Sequence, residues 1–486
     1  MISVEKIKQV LQARFGYTAF KPGQAEVIQA VLSGQDTFAI LPTGTGKSLC
    51  YQLPGYLLAG QIIVISPLLS LMQDQVAQLH YLGEKSVLAL NSALDPVTRR
   101  YGLAHLEQYK FVFLSPEMAN QPQIRQKLQQ SQIDLLVIDE AHCISQWGVD
   151  FRPDYLALKS LRTTIQPRAT LALTATATKR VQADILAKLG LTATDTKQII
   201  HSVDRRNIYL ATEAVADETE KDQQLIALCQ QLKRPGIIYF SSRQKAEEIT
   251  VLLQQKVTQR VAFYHGAMTS QDRFAVQQQF MHGKLEIICA TNAFGMGINK
   301  ADVRFVIHYH LPSSLESYLQ EIGRAGRDGQ QSIAILLYTA RDFQLQANLV
   351  TNTLPEAALI KQYFAHPQRF AAAAIPEIDL LKFYRQHGQD AAAIQQLFAK
   401  RRDEKMLALR SMLAFVQTPG CKRQFILDYF TDPTTVIHDP TCCDATQSTN
   451  LAELDLQRDP TAVVAADQQQ NWQERLAAIF TTSPQL

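Results

Sequence analysis

Short apolar runs alternate with longer stretches of helical spacing from about residue 37 to residue 340, and the alternation starts twice. The first set is Thr37–Leu41, Ile62–Ser66, Phe111–Ser115, Leu135–Asp139 and Thr170–Thr174. After a break near His201–Arg206 come Gly236–Phe240, Val261–His265, Glu286–Ala290, Val303–His308 and Ile333–Tyr338. Runs that are apolar throughout suit strands buried on both faces, with crossover helices covering the sheet. The pattern predicts an α/β fold with two tandem parallel-sheet domains, residues 1–204 and 205–345. Two such sheets suggest two ligand-binding edges facing each other. From about residue 346 the strand-like runs stop. Ala, Gln and Leu at helical spacing predict a small, mainly helical region over 346–450, with helices at Phe370–Ile375, Ile378–Tyr384 and Ala391–Arg402. A polar tail, 451–486, carries Trp472, Leu476, Ile479 and Phe480 on one helix face, read as docking on the body.

Charge and cysteine usage narrow the setting. A net charge of +3 over 486 residues is no polycation, so a nucleic-acid site must be a local groove. The start, Met1–Lys6, lacks the apolar core of a signal peptide, and no apolar run is long enough to span a bilayer. The expectation is a soluble, cytoplasmic protein with no membrane partner. Seven cysteines in so long a chain do not read as a disulfide framework. Cys50, Cys143, Cys229 and Cys289 sit in apolar surroundings and read as buried small hydrophobes.

Thr43-Gly44-Thr45-Gly46-Lys47-Ser48 follows a predicted strand and opens a helix. That is the context of a phosphate-binding loop. Its glycines let backbone N–H groups approach a polyphosphate, and the helix N-terminus adds a favourable partial charge. Lys47 is expected to reach the β- and γ-phosphates of ATP and Ser48 to ligate Mg²⁺. Leu41 stands where the general pattern has its first glycine, away from the Gly-Lys-Ser end. Further on, the apolar strand Leu135–Ile138 ends in Asp139 and Glu140. Asp139 is placed to hold Mg²⁺, and Glu140 to polarise the water that attacks the γ-phosphate. Together these predict ATP hydrolysis.

Arg324 and Arg327 lie three apart in the Gly-rich segment Glu321–Asp328 of the second half. An arginine supplied from a second domain stabilises charge on the transferring phosphoryl group and makes hydrolysis depend on cleft closure. Arg327 is read as that finger and Arg324 as a phosphate partner. Thr174 and Thr176, in the strand end Leu173–Thr178, suit a hydrogen-bond relay between the catalytic carboxylates and the second domain. The stretch Ala290–Lys300 follows a strand, and its glycines permit close approach to nucleic-acid phosphates.

In order, Phe20–Gln24, the phosphate loop, Ser66–Met72, Asp139–His142, Thr174–Thr178, Ala290–Lys300 and Gln320–Arg327 resemble the motifs of superfamily 2 helicases. Ala141–Tyr155, with Trp147, Phe151, Arg152 and Tyr155, is similar to the aromatic-rich loop of the RecQ family of DNA helicases. The resemblance covers about residues 1–345 and resumes at Lys405–Asp432. It implies two RecA-like domains, ATP and Mg²⁺ as cofactors, stimulation by single-stranded DNA and 3′-to-5′ unwinding. It further implies that Gln24 reads the adenine edge and that Tyr17 packs on the base. Lys21 stands where the family usually has an arginine, keeping the charge but not the planar stack. Trp147, Phe151 and Arg152 would sense DNA, since aromatics stack on unpaired bases and arginine pairs with phosphate. His142, Thr291 and Gln320 complete the DNA-binding and coupling set. Val149 replaces the usual histidine of that loop.

Near the C-terminus, Lys405–Phe430 resembles the start of the family's zinc region, but two CxxC pairs do not follow. Cys421, His438, Cys442 and Cys443 make a chemically allowed Zn²⁺ set. Adjacent cysteines are awkward on one tetrahedron, and a metal-free segment held by packing is the competing expectation. The 43 residues after Cys443 are too few for a winged helix of ordinary size, which predicts a short form. The resulting expectation is an ATP-dependent DNA helicase of recombination and repair. Its partners would be single-stranded and tailed or forked DNA, with single-stranded-DNA-binding and repair proteins. A translocase that unwinds weakly and an RNA helicase of the same superfamily are the rivals.

Overall fold

Each of the ten apolar runs coincides with a strand of the computed structural model, which describes residues 2–91, 94–146, 153–295, 300–371, 373, 375–445 and 449–459. Among the described residues, the first sheet holds β1 (Thr37–Ile40), β2 (Gln61–Ile65), β3 (Val87–Leu90), β4 (Phe111–Leu114), β5 (Ile133–Ile138), β6 (Ala169–Thr174) and β7 (Lys197–Ile200). Their order is β3-β4-β2-β5-β6-β1-β7, all parallel. The second sheet holds β8 (Ile208–Ala214), β9 (Gly236–Tyr239), β10 (Val261–Tyr264), β11 (Ile287–Ala290), β12 (Phe305–His308) and β13 (Ser332–Tyr338). Its order is β10-β11-β9-β12-β13-β8, again all parallel.

Full burial of the central strands follows from helices on both faces. In β2, Ile62 and Val64 enter one core while Ile63 and Ile65 enter the other. The second sheet divides alike: Ile237 and Tyr239 face the core continuous with the first sheet, and Ile238 and Phe240 face away from it. That shared core also takes Leu409, Met412 and Phe415 of the helix Ala391–Gln417. The other end of the same helix gives Ile394 and Phe398 to a separate small core, with the helices Ala357–Ala365 and Pro376–Gln386. At roughly 1.5–3 kcal/mol per fully buried large apolar side chain, each end of the rod is anchored by its own packing.

Several expectations differ from the structure. Strands β3, β7 and β8 were not among the predicted runs. In β7 only Ile199 is buried, since Lys197, Gln198 and Ile200 lie exposed on the sheet edge, so the run lacks the all-apolar signature. The helix expected at Phe370–Ile375 is not seen at its described residues. A 3₁₀ turn ends at Phe370, Ala371 and Ala373 are non-helical, and the helix starts at Pro376. Ile375, ahead of that proline, is extended (φ −119°, ψ 140°), as the proline ring requires. Leu454 and Leu456, expected in a polar tail, are buried in the core of the second sheet, and Gln457 bridges to Leu232. The predicted face of Trp472, Leu476, Ile479 and Phe480 lies outside the described residues. No described helix is long and apolar enough to cross a membrane. Cys50, Cys143, Cys229 and Cys289 are buried free thiols.

Candidate active site

The phosphate-loop segment leaves β1 and enters the helix Leu49–Gly55. Gly44 and Gly46 adopt φ of 83° and 73°, the left-handed backbone that glycine takes without a Cβ clash. Two side chains hold the loop from outside. Lys21 Nζ donates to the Gly44 carbonyl at 2.8 Å. The Gln24 amide donates to the Thr45 and Gly46 carbonyls at 2.7 and 3.1 Å, while its Oε1 accepts the Lys21 N–H at 2.8 Å. The carboxamide expected to read adenine is therefore engaged by the loop backbone. Tyr17 is 55% exposed, leaving its ring face free of core packing. Lys47 and Ser48 are half-buried.

Beyond β5 the chain turns sharply. Asp139 accepts the N–H of Glu140 at 2.9 Å, and Glu140 itself has φ 47°. A left-handed non-glycine residue stores of order 1 kcal/mol of strain and aims its side chain unusually. Burial and the neighbouring Glu140 charge raise Asp139 to about 7, against the pull of Lys47. Burial also works against an ionised Glu140, but the charges of Lys47, Arg324 and Arg327 outweigh it and hold that carboxyl below its usual range. A buried carboxylate, Asp139, and its half-buried neighbour Glu140 beside one lysine form a donor set that a divalent cation would complete.

His142 joins these carboxylates to the second sheet. Its Nδ1 lies 3.0 Å from Thr174 Oγ1 and 3.4 Å from Glu140 Oε2. Gln320 Nε2 donates to His142 Nε2 at 3.0 Å from the helix Leu315–Ile322. The Thr174 hydroxyl donates onward to the Thr176 carbonyl at 3.1 Å. These partners fix a neutral ring carrying its proton on Nδ1. Burial likewise holds His142 below the ordinary histidine range, against the pull of Glu140.

The arginines close the opposite wall. Arg324 is buried and donates to the Gly295 carbonyl, and a Cβ at Gly295 would collide with its guanidinium. Arg327 lies against Gly44, with its Cγ 3.4 Å from where a Cβ there would sit. Burial, reinforced by Arg324 and Arg205, pushes Arg327 down to about 9. The walls touch directly, since a Cβ at Gly323 would collide with the Thr43 hydroxyl. Thr291, buried after β11, donates its N–H to the Tyr264 carbonyl at 3.0 Å. Trp147, Phe151 and Arg152 lie outside the described residues.

Residues that the sequence reading missed sit at this junction. Arg205, between β7 and β8, reaches both Thr43 and the turn Gly323–Gly326. Arg423, on the helix Lys422–Tyr429, donates to Asp204, to the Arg205 carbonyl at 3.0 Å and to the Ile208 carbonyl at 2.6 Å. Their one local signal was a cluster of charge, Asp204-Arg205-Arg206, at the domain break.

Cys421, His438, Cys442 and Cys443 converge, with their ligand atoms all within 4.8 Å of one another. Cys421 Sγ lies 3.6 Å from Cys442 Sγ and 3.7 Å from Cys443 Sγ, and Cys443 Sγ lies 3.9 Å from His438 Nδ1. Ligands about 2.3 Å from a tetrahedral zinc would stand roughly 3.8 Å apart, so the four residues fit the ion. Adjacency of the two cysteines is no obstacle here. Cys443 also pairs with Leu210 of β8, and Asp444 accepts the Thr212 N–H at 2.7 Å, tying the cluster to the edge of the second sheet.

The DEAD/DEAH box helicase family matches residues 21–185, and the helicase conserved C-terminal domain matches residues 220–329. The probable ATP-dependent DNA helicase RecS of Bacillus subtilis is 43% identical over 440 residues, covering 87% of this chain and 88% of that protein. The ATP-dependent DNA helicase RecQ of Haemophilus influenzae is 43% identical over 335 residues, covering 69% of this chain and 53% of its own length. The ATP-dependent DNA helicase Q5 of Rattus norvegicus is 35% identical over 473 residues, covering 91% of this chain and 44% of its own. The chain thus spans most of the RecS protein and about half or less of the other two. Among solved structures, the helicase Lhr of Mycobacterium smegmatis, bound to single-stranded DNA and AMP-PNP, superposes with a TM-score of 0.57 at 19% identity, covering 84% of this chain and 57% of its own. The DEAD-box helicase Mss116, bound to single-stranded RNA and UDP-BeF, gives 0.57 at 16% identity, covering 87% of this chain and 97% of its own. At such identity these two share the fold alone.

Proposed function

The chain belongs to the RecQ family of superfamily 2 ATP-dependent DNA helicases, and from that premise we propose a motor that moves 3′-to-5′ on single-stranded DNA and unwinds tailed or forked duplexes in recombination and repair. The observation that carries this reading is the bridge from Gln320 through His142 to Thr174 and Glu140. A catalytic carboxylate wired to the other domain makes hydrolysis sensitive to how the two sheets sit. A protein that merely bound ATP would have no use for that wiring.

In this mechanism Lys47 holds the β- and γ-phosphates, and Tyr17, Lys21 and Gln24 flank the base, with Gln24 exchanging its loop carbonyls for the adenine edge. Thr43, Gly44, Thr45 and Gly46 wrap the phosphates with backbone N–H groups. Ser48 and Asp139 would hold Mg²⁺, which when bound neutralises charge developing on the phosphoryl oxygens. Glu140, kept ionised by the surrounding cations, takes the proton of the attacking water. Arg327 supplies the finger, and Arg324 adds positive charge while holding Gly295. Trp147, Phe151, Arg152 and Thr291 are proposed as the DNA-side contacts that bias cleft closure. Cys421, His438, Cys442 and Cys443 would hold Zn²⁺, a structural cross-link between the helix Lys422–Tyr429 and β8. Single-stranded-DNA-binding and repair proteins are the proposed protein partners.

The test is ATP turnover with and without single-stranded DNA, beside unwinding of duplexes with 3′ or 5′ tails and an RNA oligonucleotide as control. Turnover stimulated by DNA over RNA, with unwinding from 3′ tails, is the expected outcome. Stimulation without unwinding would reduce the protein to a translocase, and preference for RNA or for 5′ tails would overturn the reading.

A further inference from the structure

We propose that Arg205 is a positioning residue for hydrolysis, a planar clasp that registers the phosphate loop against the turn carrying Arg324 and Arg327. This rests on the reading of the cleft as an ATPase site. Arg205 lies in the hinge between β7 and β8, yet it reaches both walls of the cleft. Its Nη1 donates to the Thr43 carbonyl at 2.9 Å, with longer contacts to the Thr43 hydroxyl at 3.4 Å and the Gly323 carbonyl at 3.3 Å. Its Nη2 donates to the carbonyls of Ala325 at 2.9 Å and Gly326 at 2.8 Å. Its Nε donates to Asn207 Oδ1 at 3.4 Å. All three guanidinium nitrogens are engaged, and their partners belong to segments more than a hundred residues apart.

A fork is needed for this geometry. A guanidinium presents five donors in one rigid plane, whereas an ammonium is a point charge on a flexible stem. Only the former can hold Thr43 on one side and the Ala325 and Gly326 carbonyls on the other at a fixed separation. That separation places Arg327, because Arg205 Nη1 and Arg327 Cγ both lie 3.4 Å from where a Cβ on Gly44 would sit, side by side over the phosphate loop. The hinge is backed in turn. Arg423 holds Asp204 and the Arg205 and Ile208 carbonyls, and Asn207 donates to the Gly326 and Gln330 carbonyls at 2.8 Å each. A void of about 30 Å³ beside the clasp, lined by Thr43, Thr176, Arg205, Gly323 and Arg423, is water-sized.

The experiment compares the full-length wild type with Arg205→Lys, Arg205→Ala and Glu140→Gln. Melting is followed by circular dichroism, and binding of a fluorescent ADP analogue and a labelled single-stranded oligonucleotide is measured at equilibrium. ATP turnover is measured across ATP concentrations at saturating DNA. For Arg205→Lys the expectation is a fold and ligand affinities near wild type, ATP KM within about threefold, and kcat lower by about a hundredfold, the cost of misplacing a catalytic group by about an ångström. Wild-type kcat in Arg205→Lys would overturn the proposal. So would a rise in KM at unchanged kcat, or a loss of kcat no greater than the loss of folded protein. If Arg205→Ala fails to fold, Arg205→Lys alone decides. Undiminished turnover in Glu140→Gln would instead remove the ATPase reading beneath it, whatever the Arg205 variants do.

Discussion

Glu140 combines three features that sequence alone only half conveyed: a left-handed backbone, a surrounding of four cationic or ionisable groups, and contact with His142. Its pairing with Asp139 at a strand end was legible because the motif is local. Replacing it by glutamine keeps shape and removes the proposed base, so turnover should fall by about 10²–10⁴-fold while nucleotide binding persists. Steady-state turnover beside equilibrium nucleotide binding checks this. Arg205 and Arg423 were not legible, because their partners lie far along the chain and no spacing rule joins them. His310 gives a residue-scale prediction of another kind. It is buried, its Nδ1 accepts the Ser241 N–H at 3.2 Å, and burial together with Lys221 and Lys245 pushes it down to about 3. The native state keeps this ring neutral, whereas the unfolded chain protonates it near its ordinary value of about 6.5. Its contribution to stability is present above about pH 6.5 and is lost progressively as pH falls towards 3. Urea denaturation at several pH values should show a shallower acid loss in His310→Asn than in the wild type, and equal slopes would refute the assignment.

At the scale of elements, the buried strands were legible because a strand covered on both faces must be apolar at every position. The edge strand β7 escaped for the converse reason, with one buried residue in four. The helix expected up to Ile375 fails at that residue, which is extended because the ring of Pro376 disfavours the helical backbone before it. The Cys and His cluster was visible only as a list of residues. Its compactness depends on the helix Lys422–Tyr429 bringing Cys421 back against Cys442 and Cys443. The proposed zinc would therefore staple that helix to β8. Purified protein should contain about one zinc per chain. Its removal by a chelator should lower the melting temperature by at least about 5 °C, equivalent to roughly 5 kcal/mol in a chain of this size. Metal analysis and thermal denaturation check both points, and a metal-free protein indifferent to chelator would leave the segment held by packing alone.

For the whole molecule, the question is how one domain learns the state of the other. The two sheets were predictable as separate units and His142, Thr174 and Gln320 as members of a coupling set, but which of these side chains touch was not, because their meeting is a tertiary fact. Gln320 and His142 are 178 positions apart and meet at 3.0 Å. The direction of that hydrogen bond matters. Gln320 donates to His142 Nε2, which leaves the Nδ1 proton for Thr174 and Glu140, so loss of the amide frees the imidazole to turn or change tautomer beside the carboxylate. Gln320→Ala should therefore leave nucleotide binding intact, since the phosphate loop belongs to the first sheet, and should damage the response to DNA. The stimulation of turnover by single-stranded DNA is expected to fall by about tenfold or more, the scale of a coupling free energy of 1–3 kcal/mol, and unwinding should fall with it. Turnover at zero and saturating DNA, with DNA affinity measured in parallel, separates lost coupling from lost binding. An unchanged stimulation ratio at unchanged DNA affinity would mean that the domains communicate by another route, with the hinge held by Arg205 and Arg423 as the next contact to test.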